Sequence, residues 1–248
     1  MPLKEQPAVR IILLDIEGTT TPVDFVYRVL FPYASRKFED FLRQHLRDAD
    51  VRLQIDALKA QHAADREAGL EPPALRPASE EAETPSLAAY GRWLIDRDSK
   101  CTPLKALEGL IWQEGYTSGE LRGEVYPDVP PAFERWRRLG IDLCIYSSGS
   151  VLAQKLLFRT TPSGDLAQFL RHFFDTQIGI KTEAESYRTI AAALQSPEVA
   201  FLFLSDSVKE LDAARSAGMN TALCLRSPLG TTAPEGHPSI HTFNEIFP

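Results

Sequence analysis

Short runs of consecutive apolar residues punctuate this chain, and each gives way to a cluster of small and polar residues. Residues 9–16 read VRIILLDI, with Ile11, Ile12, Leu13 and Leu14 uninterrupted. A run that stays apolar at successive positions suits a strand covered on both faces, whereas a strand with one face in water alternates. Similar runs stand at 141–146 (IDLCIY), 173–178, 199–204 (VAFLFL) and 221–225, and segments with helical periodicity separate them. Strands alternating with helices predict an α/β fold built on a doubly wound parallel sheet.

The interval 21–126 breaks that alternation. It holds no comparable apolar run, and its helix-like patterns lie at 25–47, 51–67, 86–96 and 104–113. It reads as an inserted helical module, so that 1–20 and 127–248 form the α/β core. Within the insert, residues 69–85 carry Pro72, Pro73, Pro77 and Pro85 among acidic and small residues, and are expected to be a disordered surface loop too interrupted for a helix. The chain re-enters the core through Tyr126-Pro127-Asp128-Val129-Pro130-Pro131, where prolines suit the opening of a helix over 132–139.

Composition narrows the setting. With 27 Lys and Arg against 34 Asp and Glu, the net charge is −7, which argues against broad nucleic-acid binding, because backbone phosphates are met mainly by clustered cations. Three widely spaced cysteines, Cys101, Cys144 and Cys224, make neither a disulfide framework nor a zinc cluster and read as reduced thiols. The opening MPLKEQPAVR lacks the apolar core of a signal peptide, and no apolar run reaches the roughly 18 residues a bilayer span needs. A cytoplasmic protein without a membrane partner is expected.

In an open α/β sheet, ligands sit at the carboxyl ends of the strands, and four such ends carry reactive residues. Asp15 and Glu17 close the first run, followed by Gly18 and three threonines; one carboxylate can attack while its neighbour moves protons. Ser147, Ser148, Gly149 and Ser150 follow IDLCIY, and hydroxyls with backbone N–H groups at a helix N-terminus can hold a phosphate or, equally, cap the helix. Lys181 lies beyond the third run, and its ammonium can neutralise a transferring phosphoryl oxygen; Lys155 is a weaker candidate. Asp206 ends FLFLSD, with Glu210 and Asp212 close behind, a supply of hard oxygen ligands suited to Mg²⁺ or an ordinary helix start. Singly each matches by chance; in this order, they are what phosphoryl transfer through an aspartyl intermediate requires.

Asp15–Thr19, Ser147, Lys181 and Ser205-Asp206 resemble the four motifs of the haloacid dehalogenase superfamily, with Glu17 in place of the commoner aspartate. Residues 15–34 (DIEGTTTPVDFVYRVLFPYA), 93–112 (WLIDRDSKCTPLKALEGLIW), 119–136, 145–158 and 181–191 resemble the enolase-phosphatase (acireductone synthase) family of methionine salvage, in which that Glu is usual. The resemblance implies a bifunctional enzyme that enolises and then dephosphorylates a small diketone phosphate, a helical cap made by the insert, and one Mg²⁺ held by Asp15, the Glu17 backbone carbonyl and Asp206. It further implies Asp15 as nucleophile, Glu17 as proton shuttle, and Ser147, Ser148 and Lys181 as the phosphate cradle. Lys100 is a conceivable substrate contact, and Trp93, Trp112 and Tyr116 are either pocket lining or core. A monomer is expected. The alternative is a phosphatase of the same superfamily for another small phosphate ester.

Overall fold

The computed structural model describes residues 9–76, 79–226 and 236–248. In chain order its elements are β1 (Ile11–Leu14), α1 (Val23–Phe25), a π-helical turn (Val26–Leu30), α2 (Phe31–His45), α3 (Ala49–Glu67), α4 (Glu80–Asp96), α5 (Thr102–Ser118), α6 (Val129–Arg138), β2 (Asp142–Tyr146), α7 (Val151–Arg159), β3 (Leu170–Phe174), α8 (Ala184–Ala193), β4 (Phe201–Ser205), α9 (Val208–Ser216), β5 (Asn220–Cys224) and β6 (Ser239–Ile240), with short 3-10 turns between some of them. The chain divides into two compact units, one made of the residues up to Phe25 and from Arg122, the other of Val26–Leu121. The hydrophobic pattern places the divisions at 20/21 and 126/127 instead.

The first unit is a six-stranded sheet in the order β3-β2-β1-β4-β5-β6, parallel throughout. Its strand order reverses beside β1: the chain moves outward through β2 and β3, then returns to β4 on the other side. That reversal opens a crevice at the carboxyl ends of β1 and β4, the usual place for a ligand in such sheets. The apolar runs are continuous because both faces are covered. Ile11, Leu13, Cys144, Tyr146, Phe201 and Phe203 pack with Tyr187, Ile190 and Leu211 of α8 and α9, while α6 lies on β2 and α7 on β3. Each large side chain so buried contributes about 1.5–3 kcal/mol.

The third strand differs from expectation: it is Leu170–Phe174, ahead of 173–178. Asp175 explains the shift. Its Oδ1 accepts the Gln177 N–H at 3.0 Å and its Oδ2 the Val151 N–H at 3.4 Å, so the aspartate turns the chain out of the sheet where an apolar count would continue it. The two-residue β6 is too short to leave a periodic signal.

The second unit is helical. Its core is formed where α2 packs on α4 and α5 and α3 packs on α5, around Phe38, Leu42, Leu58, Leu87, Tyr90, Leu104 and Leu107, none more than 1% exposed. The loop expected over 69–85 is irregular only in part: residues 71–76 have no regular structure, residues 77–78 lie outside the described set, and α4 already runs from Glu80 through Pro85. A proline that close to a helix start forfeits one backbone bond, and Leu87, Ala88 and Tyr90, all fully buried, hold the helix by packing. Among the described residues no helix is long and apolar enough to cross a membrane.

Candidate active site

Register places the sequence-derived residues at one end of the sheet. Leu14 pairs with Ile145 of β2 and Leu204 of β4, so Asp15, Ser147 and Ser205-Asp206 all emerge where these three central strands end. The Asp15 N–H continues the ladder by donating to the Leu204 carbonyl at 3.0 Å. The chain then folds tightly: the N–H groups of Thr19, Thr20 and Thr21 converge on the Ile16 carbonyl, and the Gly18 N–H donates to the Thr21 carbonyl at 2.8 Å. Gly18 sits at φ +68°, and a Cβ there would lie 2.0 Å from Asp206 Oδ2. Only glycine permits both the turn and the approach of the Asp206 carboxylate to this loop.

Asp15 is nearly buried and both its oxygens are engaged. Oδ1 accepts the Ile16 N–H at 2.8 Å and the Lys181 ammonium at 2.6 Å, while Oδ2 accepts the Ser205 hydroxyl at 3.3 Å. Lys181 reaches it from a loop held by three bonds: Tyr146 donates its hydroxyl to the Gly179 carbonyl at 2.9 Å, Tyr187 to the Lys181 carbonyl at 2.7 Å and Ser186 to the Ile180 carbonyl at 2.7 Å. At Gly179, with φ +148°, a Cβ would strike Ser186 Oγ at 2.2 Å. The ammonium also pairs with Glu210 at 2.7 Å, so one cation bridges two carboxylates.

Ser147 is buried, and its hydroxyl accepts the Gly149 N–H at 3.3 Å; Ser148 is exposed. Ser150 is the residue that caps α7, accepting the Ala153 N–H at 3.3 Å, so the cap falls to Ser150 and not to Ser147 or Ser148. Gln154, for which the sequence carries no signal, ties that cluster to β3 by donating to the Gly149 carbonyl at 2.7 Å and the Phe174 carbonyl at 2.9 Å. Glu17 is exposed on the Asp15 loop.

Several candidates fall elsewhere. Asp212 pairs with Arg215 at 2.6 Å and with His237 at 3.2 Å, not with Lys181, because two residues along a helix turn the side chain to another face. Lys155 lies 5.7 Å over the Phe173 ring. Lys100 is paired with Asp98 and largely exposed. Trp112 donates its indole N–H to the Leu30 carbonyl at 2.9 Å and Tyr116 is buried, so both are core residues; Trp93 stacks on Tyr90 at 5.8 Å under the Arg97 guanidinium.

A model of haloacid dehalogenase-like hydrolases matches residues 9–218. An enolase-phosphatase E1 from Synechococcus elongatus is 46% identical over 235 residues, 95% of this chain and 96% of its own. One from Drosophila melanogaster is 45% identical, over 88% of this chain and 84% of its own. The UTR4 protein of Saccharomyces cerevisiae superimposes with a TM-score of 0.74 at 32% identity, over 95% of this chain and 99% of that one. The chain belongs to the enolase-phosphatase family of haloacid dehalogenase-like hydrolases.

The electrostatics of this enolase-phosphatase family member are those of a site crowded with carboxylates. Burial alone would lower the Lys181 pKa, yet Asp15 and Glu210 more than offset it and hold the group above the ordinary lysine value. Burial and then the Asp15 charge raise Glu210. The same two causes, against the opposing Lys181 charge and with a smaller contribution from Glu17, push Asp206 up to about 6, although the residue is exposed on one side. Lys181, paired with Asp15 and Glu210, offsets that rise only in part. Among the described residues there is no group of three or more His, Cys, Asp or Glu placed to hold a metal. A hard divalent ion would therefore rest on the two carboxylates Asp15 and Asp206, a backbone carbonyl, and oxygens of water or substrate, a donor set that suits Mg²⁺, which keeps several such ligands. Glu210 was visible in the sequence only as a further acid near Asp206, and Ser205 as the polar end of a buried strand; that they jointly hold Lys181 and Asp15 depends on β4 lying beside β1.

Proposed function

We propose that the protein is an Mg²⁺-dependent enolase-phosphatase, an acireductone synthase, that enolises 2,3-diketo-5-methylthiopentyl 1-phosphate and then removes its phosphate. The observation that carries the reading is the Asp15 carboxylate fixed at the switch point of the sheet with the Lys181 ammonium at 2.6 Å, in a chain matched along nearly its whole length by enolase-phosphatases.

Asp15 is the nucleophile. Its three hydrogen bonds hold the carboxylate in one orientation, so that little ordering remains before attack on phosphorus. Lys181 offsets the negative charge of Asp15 and of an incoming phosphoryl oxygen, while Glu210 and Ser205 keep the ammonium and the carboxylate in register. Mg²⁺, held by Asp15, the Glu17 backbone carbonyl and Asp206, supplies when bound the positive charge that lowers repulsion between two anions. Ser147 and Ser148, with the N–H groups ahead of α7, bind the phosphate. Glu17 gives a proton to the leaving oxygen and later takes one from the water that hydrolyses the aspartyl-phosphate. The helical unit Val26–Leu121 serves as the cap. The enzyme acts in the cytoplasm as a monomer.

An Asp15→Asn variant tests the nucleophile directly. With the diketone phosphate and Mg²⁺, ³¹P NMR is expected to show no inorganic phosphate and an accumulating enol phosphate; phosphate release at the unaltered rate would overturn the assignment of Asp15.

A further inference from the structure

The re-entry segment Tyr126-Pro127-Asp128 and Arg226, two positions after strand β5, have no part in the chemistry described so far, yet both reach the nucleophile loop. Arg226 is buried, its side chain 6% exposed. Its Nε donates to the Thr19 carbonyl at 2.9 Å, and its Nη1 to Asp128 Oδ2 at 2.6 Å and to the His241 carbonyl at 3.3 Å. The guanidinium lies 4.5 Å from the Tyr126 ring centre and 4.2 Å from that of Phe243. Asp128 stands at the N-cap position of α6 but makes no capping bond; its Oδ2 is spent on Arg226 and on the Phe243 N–H at 2.6 Å. The Tyr126 N–H donates to the Thr20 carbonyl at 2.9 Å. Two consecutive carbonyls of the nucleophile loop are thus held from outside, by Arg226 and by the segment that holds Arg226.

The loop itself is closed by its own hydrogen bonds, so a pull on Thr19 moves it as a body. It has no slack on the other side, where Gly18 already lies against Asp206 as closely as a residue without a side chain can. A buried guanidinium is costly to desolvate, and an apolar side chain could fill the same space. What only arginine supplies is a planar fork that bonds a carbonyl and a carboxylate at once while stacked between two rings.

We propose that Arg226, held by Asp128, is a positioning residue that fixes the Asp15–Thr21 loop against Asp206 and so sets the spacing of the oxygens that receive Mg²⁺. The proposal rests on the function given above. Arg226→Lys keeps the charge and loses the fork; Asp128→Asn keeps the arginine and weakens its anchor. Both are measured by Mg²⁺ titration calorimetry on the substrate-free protein, by steady-state kinetics and by thermal melting. For folded Arg226→Lys, we expect Mg²⁺ binding about tenfold weaker and kcat about 10- to 100-fold lower, with KM for the diketone phosphate changed by less than about threefold, as for an interaction that orders the reacting groups. Asp128→Asn is expected to move the same quantities in the same direction by less, and it carries the test alone if Arg226→Lys does not fold. Variants that melt earlier but bind Mg²⁺ and turn over within about twofold of the unaltered protein would overturn the proposal, since a packing role alone predicts that result. An unaltered protein that leaves the diketone phosphate untouched would contradict the function itself, and calorimetry would still decide the role of Arg226.

Discussion

Lys181 carries two loads at once, and its replacement separates them. In Lys181→Met, the Asp15 and Glu210 carboxylates, 2.6 and 2.7 Å from the ammonium, lose the cation between them; breaking a buried pair in this way costs about 3–5 kcal/mol. Urea unfolding is expected to register that loss, and kcat to fall by about 10²–10³-fold, the scale for losing one charge that stabilises a transition state. The double variant Lys181→Met/Glu210→Gln is expected to regain part of the stability and none of the rate. If the single variant were as stable as the unaltered protein, the ammonium would not be bridging two charged groups. Gly18→Ala tests the loop: with φ +68° and a Cβ 2.0 Å from Asp206 Oδ2, it is expected to weaken Mg²⁺ binding in calorimetry more than it lowers the melting temperature. Asp15, Ser147, Lys181 and Asp206 were legible because each follows an apolar run. Arg226 and Gln154 were not, because their partners, backbone carbonyls and the Asp128 carboxylate, are brought near only by the fold, and no spacing encodes that.

At the scale of elements, helix α2 ends at His45, whose ring joins it to its neighbours. Nδ1 lies 2.6 Å from Asp48, just before α3, and Nε2 lies 2.6 Å from Glu114 of α5. The bond to Asp48 and the nearby Glu114 raise the His45 pKa above 6.5, although burial works against them. A histidine whose pKa is raised on folding stabilises the protein fully below its unfolded pKa, and that contribution is lost as pH rises through the higher folded value. The melting temperature of the unaltered protein is therefore expected to fall from about pH 6.5 upward by about 1–3 °C more than that of His45→Gln; parallel curves would show that the ring carries no linked proton. The central strands and longer helices were readable because continuous apolar runs and helical periodicity are local signals. The end of β3 and the start of α4 were not: Asp175 ends the strand with bonds to Gln177 and Val151, and Pro85 stays helical because the residues after it pack into a core.

Across the whole molecule, a net charge of −7 disfavours a phosphate ester at long range, so in the proposed mechanism capture falls to Lys181, the N-terminal end of α7 and Mg²⁺. Chelating Mg²⁺ is expected to abolish phosphate release and leave the fold in place, read by activity beside circular dichroism; release that persists in chelator would remove the metal from the account. Sedimentation equilibrium is expected to give the chain mass of 27.7 kDa, and twice that value would replace the monomer with a dimer. The doubly wound sheet was legible from the alternation of apolar runs and helices, and the order of reactive residues at strand ends pointed to phosphoryl transfer; the choice of substrate came from likeness along most of the chain, because no single residue encodes a diketone. The most direct test follows the diketone phosphate with Mg²⁺ by ³¹P NMR and ultraviolet absorbance together. Inorganic phosphate and the acireductone chromophore appearing in equal amounts is the predicted result. A diketone phosphate left intact by protein that hydrolyses a simple aryl phosphate would keep the phosphatase chemistry and contradict the enolase-phosphatase function.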